Sequence, residues 1–184
     1  MSDIIQKHTD EELIRRFCEG NNSAFDSLYN RYYTKLLYFI RQYSIFNEAE
    51  AKDILQEVFI IIMDKSIKFD RSRKFSIWIY TIASNKCKNT IKHNKLQIKV
   101  ENEIQNNSPN NNDRSIKKAK IKIIREELKH INYKHKQVFL LRFNFGFTIK
   151  ETASILDISE GTVKSRLFNC IQNLNKRPNI KSLK

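Results

Sequence analysis

Three sets of side chains in this chain could do chemistry, and in each the chemistry is binding rather than bond-making. Residues 148–167 read as two short helices around a tight turn, and the second helix carries Lys164, Ser165 and Arg166. Cations and hydroxyls on the second helix of such a pair can grip phosphates and reach base edges in the major groove. Asp53, Gln56, Glu57, Ile60 and Asp64 recur at i, i+3, i+4, i+7 and i+11, so they share one helical face. An acidic face with an isoleucine in its middle would repel phosphate and suits a protein partner. Taken alone, it could equally be a solvated helix surface, because single exposed apolar residues are common. Lys65, Lys68, Arg71, Arg73 and Lys74 surround Phe69, and Thr81, Ser84, Asn85, Lys88 and Lys92 fall on one face of the helix that follows. Positive charge beside aromatic rings can hold unstacked bases, at about 1–3 kcal/mol per stacked base. A loop that only touches duplex backbone is the plainer alternative.

Catalytic chemistry finds no such support. The carboxylates are scattered along helical patterns without a paired acid–base spacing, and no Gly-rich phosphate loop occurs. His8, His93, His130 and His135 lack metal-ligand spacing. Cys18, Cys87 and Cys170 are odd in number, far apart and without a CxxC pair, which favours a reducing cytoplasm over a disulfide framework. Neither an enzyme nor a bound cofactor or metal is expected.

The elements that must position these residues are all helical. With three Gly and two Pro in 184 residues, apolar side chains recur at helical spacing throughout. Thr9 and Glu12 have the spacing of a capping box, opening a short helix that stops near Gly20. Asn22 or Ser23 starts a second helix to about Tyr43, with Phe25, Leu28, Tyr29, Tyr32, Leu36, Phe39 and Ile40 on its apolar stripe. Asn47 opens a third, residues 48–65, with Ile54, Leu55, Val58, Phe59 and Ile62 inward. A fourth runs from about Ser72 to His93 and buries Phe75, Trp78, Ile79 and Ile82. Residues 94–114 are Asn-rich around Pro109 and too polar to fold, so they read as a flexible linker. Helix resumes near Ser115, with Ile121, Ile124, Leu128 and Ile131 on its buried side. Another starts near Lys134, burying Val138, Phe139, Leu141 and Phe143 and leaving Arg142 outside. In the last pair, Ala153 allows close helix approach, Asp157 takes the turn position and Ser159 caps the second helix.

The result is an all-α chain of two small helical domains, 8–93 and 115–177, joined by a linker, 94–114. Charge divides along the same line. Residues 1–93 carry 15 basic and 12 acidic side chains, and residues 94–184 carry 19 and 8, within a formal net charge of +14. A basic balance of this size steers a protein toward polyanions. The longest apolar run, Val58–Met63, is far shorter than the roughly 20 residues of a membrane span, so no membrane insertion is expected. The N-terminus also lacks a signal pattern.

In order and spacing these segments resemble a bacterial RNA polymerase sigma factor of the extracytoplasmic-function (ECF) group. The resemblance rests on Phe25-x-x-Leu28-Tyr29-x-Arg31-Tyr32-Tyr33, on residues 48–59 (EAEAKDILQEVF), and on Phe75-x-x-Trp78-Ile79-Tyr80-x-Ile82-Ala83-x-Asn85. In the second half it rests on residues 138–142 (VFLLR) and 158–167 (ISEGTVKSRL). It implies that Asp53, Gln56, Glu57 and Ile60 dock on the clamp helices of the polymerase largest subunit. Lys68, Phe69, Arg71, Arg73, Lys74, Asn85 and Lys88 would engage a melting minus-ten element, and Thr162, Lys164, Ser165, Arg166 and Phe168 a minus-thirty-five element. It further implies promoter DNA as a partner, transcription initiation as the process and an anti-sigma protein as a possible inhibitor. The chain departs from the family pattern after Leu167, where Phe168-Asn169-Cys170-Ile171 replaces a basic stretch, and at Ile61, Met63, Asn89 and Lys92. The rival is a stand-alone helix-turn-helix regulator that binds duplex DNA through residues 148–172 and does not bind core polymerase.

Overall fold

The computed structural model describes residues 8–43, 46–70, 72–98, 127–128 and 130–177, without the side chains of 94–98. Among these residues there is no strand. Two compact units divide the chain: residues 1–89 with 153–157, and residues 90–152 with 158–184.

The first unit is built from α1 (Asp10–Cys18), α2 (Asn22–Tyr43), α3 (Glu48–Lys65), a 3-10 turn (Ser66–Lys68) and α4 (Phe75–Ile98), which extends beyond the unit. Thr9 caps α1, its hydroxyl accepting from the Glu12 amide at 3.1 Å. The expected reciprocal arm is missing, because the Glu12 carboxylate is engaged by Arg16 and His8 instead. The chain leaves α1 through Gly20 at φ +93°, a left-handed conformation that costs glycine little. Asn21, rather than Asn22 or Ser23, caps α2: its side chain accepts from the Ala24 amide at 3.3 Å. Asn47 and Glu50 form the full reciprocal box that starts α3.

The core of this unit follows the apolar stripes, except that Phe25, Trp78 and Ile82 are only half-buried and Tyr29 is exposed. Leu28, Tyr32, Leu36, Phe39, Ile40 and Tyr43 of α2 are buried, as are Ile54, Leu55, Val58, Phe59 and Ile62 of α3. From α4 come Phe75, Ile79, Tyr80, Ala83 and Cys87. Aromatic rings join the helices edge to face, with Tyr32 and Phe75 at 5.5 Å and Phe39 and Tyr80 at 5.2 Å between centroids. Burial pushes the Tyr80 phenol well above its ordinary range, and its hydroxyl lies in the core. The Tyr43 and Ser84 hydroxyls pair at 3.1 Å between α2 and α4.

The fourth helix starts three residues later than expected and continues to Ile98, into the stretch read as linker. Lys95, Leu96 and Gln97 are good helix formers and nothing before Ile98 stops the helix. The rest of the proposed linker, and Ile121 and Ile124 of the helix expected from Ser115, lie outside the described residues.

In the second unit, α5 (Tyr133–Phe139) packs on α7 (Glu160–Asn175). Leu128, Ile131, Cys170 and Leu174 form its core, with Phe139 half-buried against them. Asn132 caps α5 by accepting from the Lys134 amide at 3.0 Å. The helix then widens into a π turn, Leu140–Asn144. This turn changes which residues face inward. Leu140 and Leu141 are fully buried, whereas Phe143, expected inside, is 59% exposed. Arg142, expected outside, is half-buried and donates to the Phe147 carbonyl.

Between α5 and α7 lies α6 (Ile149–Leu156). Thr148 and Glu151 form a reciprocal capping box at its start, at 3.1 and 2.8 Å. The Thr-x-x-Glu spacing that announces it is plain in the sequence. Asp157 adopts φ +54°, the left-handed turn conformation expected of it, and Ser159 accepts from the Thr162 amide at 3.1 Å to start α7.

Candidate protein-docking and nucleic-acid interfaces

The capping box at Asn47 fixes where α3 begins, and helical spacing then sets which side chains leave the core. Asp53, Gln56, Glu57 and Ile60 are all exposed, Ile60 by 62%, so the face read from spacing exists as a surface. Two residues extend it. Met63, one turn past Ile60, is 49% exposed, and Ile67 in the 3-10 turn is 84% exposed. The apolar content of this surface is therefore larger than one isoleucine, and three large apolar groups exposed in succession are less usual than one. Met63 and Ile67 follow Ile60 at i+3 and i+7, so they continue the same face into the 3-10 turn. The charges also differ in state. Glu57 is ion-paired with Lys86 of α4, whereas Asp53 makes no ion pair among the described residues.

The basic loop is organised from inside by Phe69. Phe69 is buried, with its ring 4.8 Å from Trp78 and 5.8 Å from Phe75 between centroids. It anchors the loop to the core, because three adjacent rings bury more apolar surface together than Phe69 would against solvent. Asp70 then closes a local turn, accepting from the Ser72 amide at 3.0 Å and the Ser72 hydroxyl at 2.7 Å. Arg73 lies 3.2 Å from the same carboxylate. The Ser72 hydrogen bonds first, and Arg73 second, hold the Asp70 carboxyl below its usual range. Lys65, Lys68, Arg73 and Lys74 are exposed around this turn, and Arg71 lies outside the described residues.

On α4, Asn85 and Lys92 are exposed and Lys88 is half-buried. Ser84 does not share their surface: it is fully buried on the Tyr43 hydroxyl. Thr81 is half-buried and returns its hydroxyl to the Ile77 carbonyl at 2.7 Å. Of the polar face read from spacing, Asn85 and Lys92 remain exposed. A residue that spacing could not reveal also acts here. The Glu11 carboxylate of α1 accepts from the Phe75 amide at 2.8 Å, where the loop becomes α4.

On α7, Lys164, Ser165 and Phe168 point outward, with Phe168 62% exposed. Thr162 is half-buried with its hydroxyl 2.9 Å from that of Ser159, so it helps to start the helix. Arg166 is half-buried. Burial first, and the charge of Arg166 second, hold the His135 imidazole below its ordinary value. Arg166 therefore sits on the α5 side of the helix, away from the outermost stripe. Among the described residues no cluster of His, Cys, Asp and Glu could hold a metal ion, and no helix is long and apolar enough to cross a membrane.

An acidic-apolar helix, a basic loop on an aromatic floor and a separate helix-turn-helix, in that order, define a sigma-70-type factor of two regions. The sigma-70 region 2 family model matches residues 28–97, and the sigma-70 region 4 model matches residues 121–173. The chain belongs to the ECF subfamily of RNA polymerase sigma factors. It is 26% identical over 179 residues to the ECF RNA polymerase sigma factor SigW of Bacillus subtilis, covering 91% of this chain and 95% of SigW. It is 25% identical over 171 residues to the ECF sigma factor BldN of Streptomyces coelicolor, covering 89% of this chain but only 63% of BldN. In fold it is similar to the sigma factor RpoE of Bartonella quintana, solved with the anti-sigma factor NepR. The TM-score is 0.72 at 17% identity, over 83% of this chain and 94% of that one. A stand-alone regulator is not favoured, because the region 2 match occupies the half of the chain for which that alternative assigns no transcriptional role.

Proposed function

We propose that the chain binds core RNA polymerase through the outer face of α3 and lends it promoter recognition through the basic loop and α7. The observation that carries the docking role is the run of Ile60, Met63 and Ile67 exposed beside Asp53 and Gln56. Its partner, the clamp helices of the polymerase largest subunit, would cover the apolar strip and meet the carboxylates with basic groups. Residues 8–93 would form this docking and minus-ten domain, residues 115–177 the minus-thirty-five domain, and the stretch after Ile98 to 114 the tether between them.

In the minus-ten role, Lys68, Arg71, Arg73 and Lys74 neutralise phosphates while Phe69 holds the loop in place from below. Asn85 and Lys88 border the path of the strand. Base capture outside the stack offsets the cost of unpairing, about a few kcal/mol in flipped-base systems. In the minus-thirty-five role, Lys164, Ser165 and Phe168 face the groove, with Thr162 and Arg166 supporting the helix that presents them. The protein itself makes and breaks no covalent bond, and it acts in the cytoplasm beside the polymerase and the chromosome. An anti-sigma protein, of the kind bound to the Bartonella quintana factor, would inhibit by covering these faces.

Transcription from reconstituted holoenzyme on genomic DNA tests the reading: discrete start sites that vanish without this chain support it. Asp53→Lys combined with Glu57→Lys should abolish assembly with core polymerase. Retained assembly would overturn the docking assignment.

A further inference from the structure

We infer that Glu11 is the positioning residue that sets the minus-ten loop. This rests on the function proposed above and adds to it a residue before the region 2 match, which begins at residue 28. The first amides of a helix have no partner within it, and an acceptor there also meets the positive end of the helix dipole. Lys74, the residue before α4, offers no side-chain acceptor. The Glu11 carboxylate supplies one from 64 residues away, taking the Phe75 amide at 2.8 Å. Phe75 is fully buried and its ring faces Phe69 at 5.8 Å, so holding the Phe75 backbone also holds the aromatic floor of the loop.

The other end of the loop is braced by the same helix, since α1 packs on the 3-10 turn Ser66–Lys68. Helix α1 is in turn fixed to α2, because Asp10 takes both the Arg31 guanidinium and the Tyr32 hydroxyl. Both ends of residues 66–75 are thereby referred to one rigid element. The loop enters the holoenzyme already shaped, and the ordering cost of binding a strand is reduced.

Two conservative variants of the full chain separate reach from charge. Glu11→Gln keeps an acceptor oxygen at the same length, and Glu11→Asp keeps the charge but draws it back by one methylene. Each is assembled with bacterial core polymerase and titrated with a single-stranded minus-ten oligonucleotide, and amide exchange at Phe75 is followed in parallel. Glu11→Asp should bind the strand about tenfold more weakly, the loss of one charge-assisted hydrogen bond, with faster exchange at Phe75 and unchanged core affinity. Glu11→Gln, which keeps the reach and gives up only the charge, should weaken strand binding by no more than about threefold, with core affinity unchanged. Wild-type strand affinity in Glu11→Asp, or equal losses of strand and core affinity, would overturn the inference. Failure of the wild-type holoenzyme to take the strand would instead remove the functional reading and this inference with it.

Discussion

Removing the apolar strip of α3 should weaken polymerase binding more than its small size suggests. Fully burying an aliphatic side chain of this class contributes about 1.5–3 kcal/mol. Ile60 is still 62% exposed and Met63 49% exposed, so covering them would recover about 1–2 and about 1 kcal/mol. Ile60→Ala with Met63→Ala should therefore cost about 2–3 kcal/mol of binding, roughly 30- to 150-fold in Kd. Folding should change by less than about 0.5 kcal/mol, because neither side chain belongs to the core. Fluorescence titration of core polymerase with the double variant measures the first quantity, and thermal melting the second. Salt separates this contribution from the charges: the alanine pair should leave the salt dependence of association intact, whereas Asp53→Lys should alter it. A double variant that binds core within twofold of wild type would refute the reasoning.

Three further perturbations address other parts of the molecule. Ser84→Ala removes the 3.1 Å hydrogen bond to the Tyr43 hydroxyl and should lower stability by about 0.5–1.5 kcal/mol, measured by denaturant unfolding; no change would mean that the pair is replaced at no cost. His135 should titrate below its ordinary 6.5 by NMR, because burial and Arg166 both disfavour its cation. A depressed folded pKa makes its contribution to stability complete above pH 6.5 and lost as pH falls through the folded value. Arg166→Ala should bring the titration part of the way back, and an unmoved titration would deny the contact. Asp157→Val places a branched side chain at φ +54° and should destabilise by about 1–2 kcal/mol, whereas Asp157→Gly should be tolerated; equal melting temperatures for the two would remove the strain argument.

Local rules account for what was legible in the chain. Hydrophobic spacing located α2, α3 and the inward faces of both, since the 3.6-residue period of a helix is written directly into the order of apolar residues. Ser159, Asn47 and Asp157 announced their caps and turn for a similar reason: the hydrogen bonds they make reach only two or three residues along the chain. The acidic face of α3 was legible on the same basis.

Tertiary packing decided the rest. Whether an aromatic in a basic loop faces a base or the core depends on neighbours distant in sequence, and Trp78 and Phe75 draw Phe69 inward. Ser84 looks like part of a polar face until Tyr43, 41 residues earlier, takes its hydroxyl. The π turn at Leu140–Asn144 rotates Phe143 out and Arg142 in, which a regular helical period does not anticipate. Glu11 on Phe75 is the extreme case, a contact across 64 residues with no sequence signature. Local free energies along the chain choose which helices form and, outside the π turn, which stripes they bury. Only the folded structure decided which polar and aromatic groups remain available to a partner, because that is settled by which helices meet.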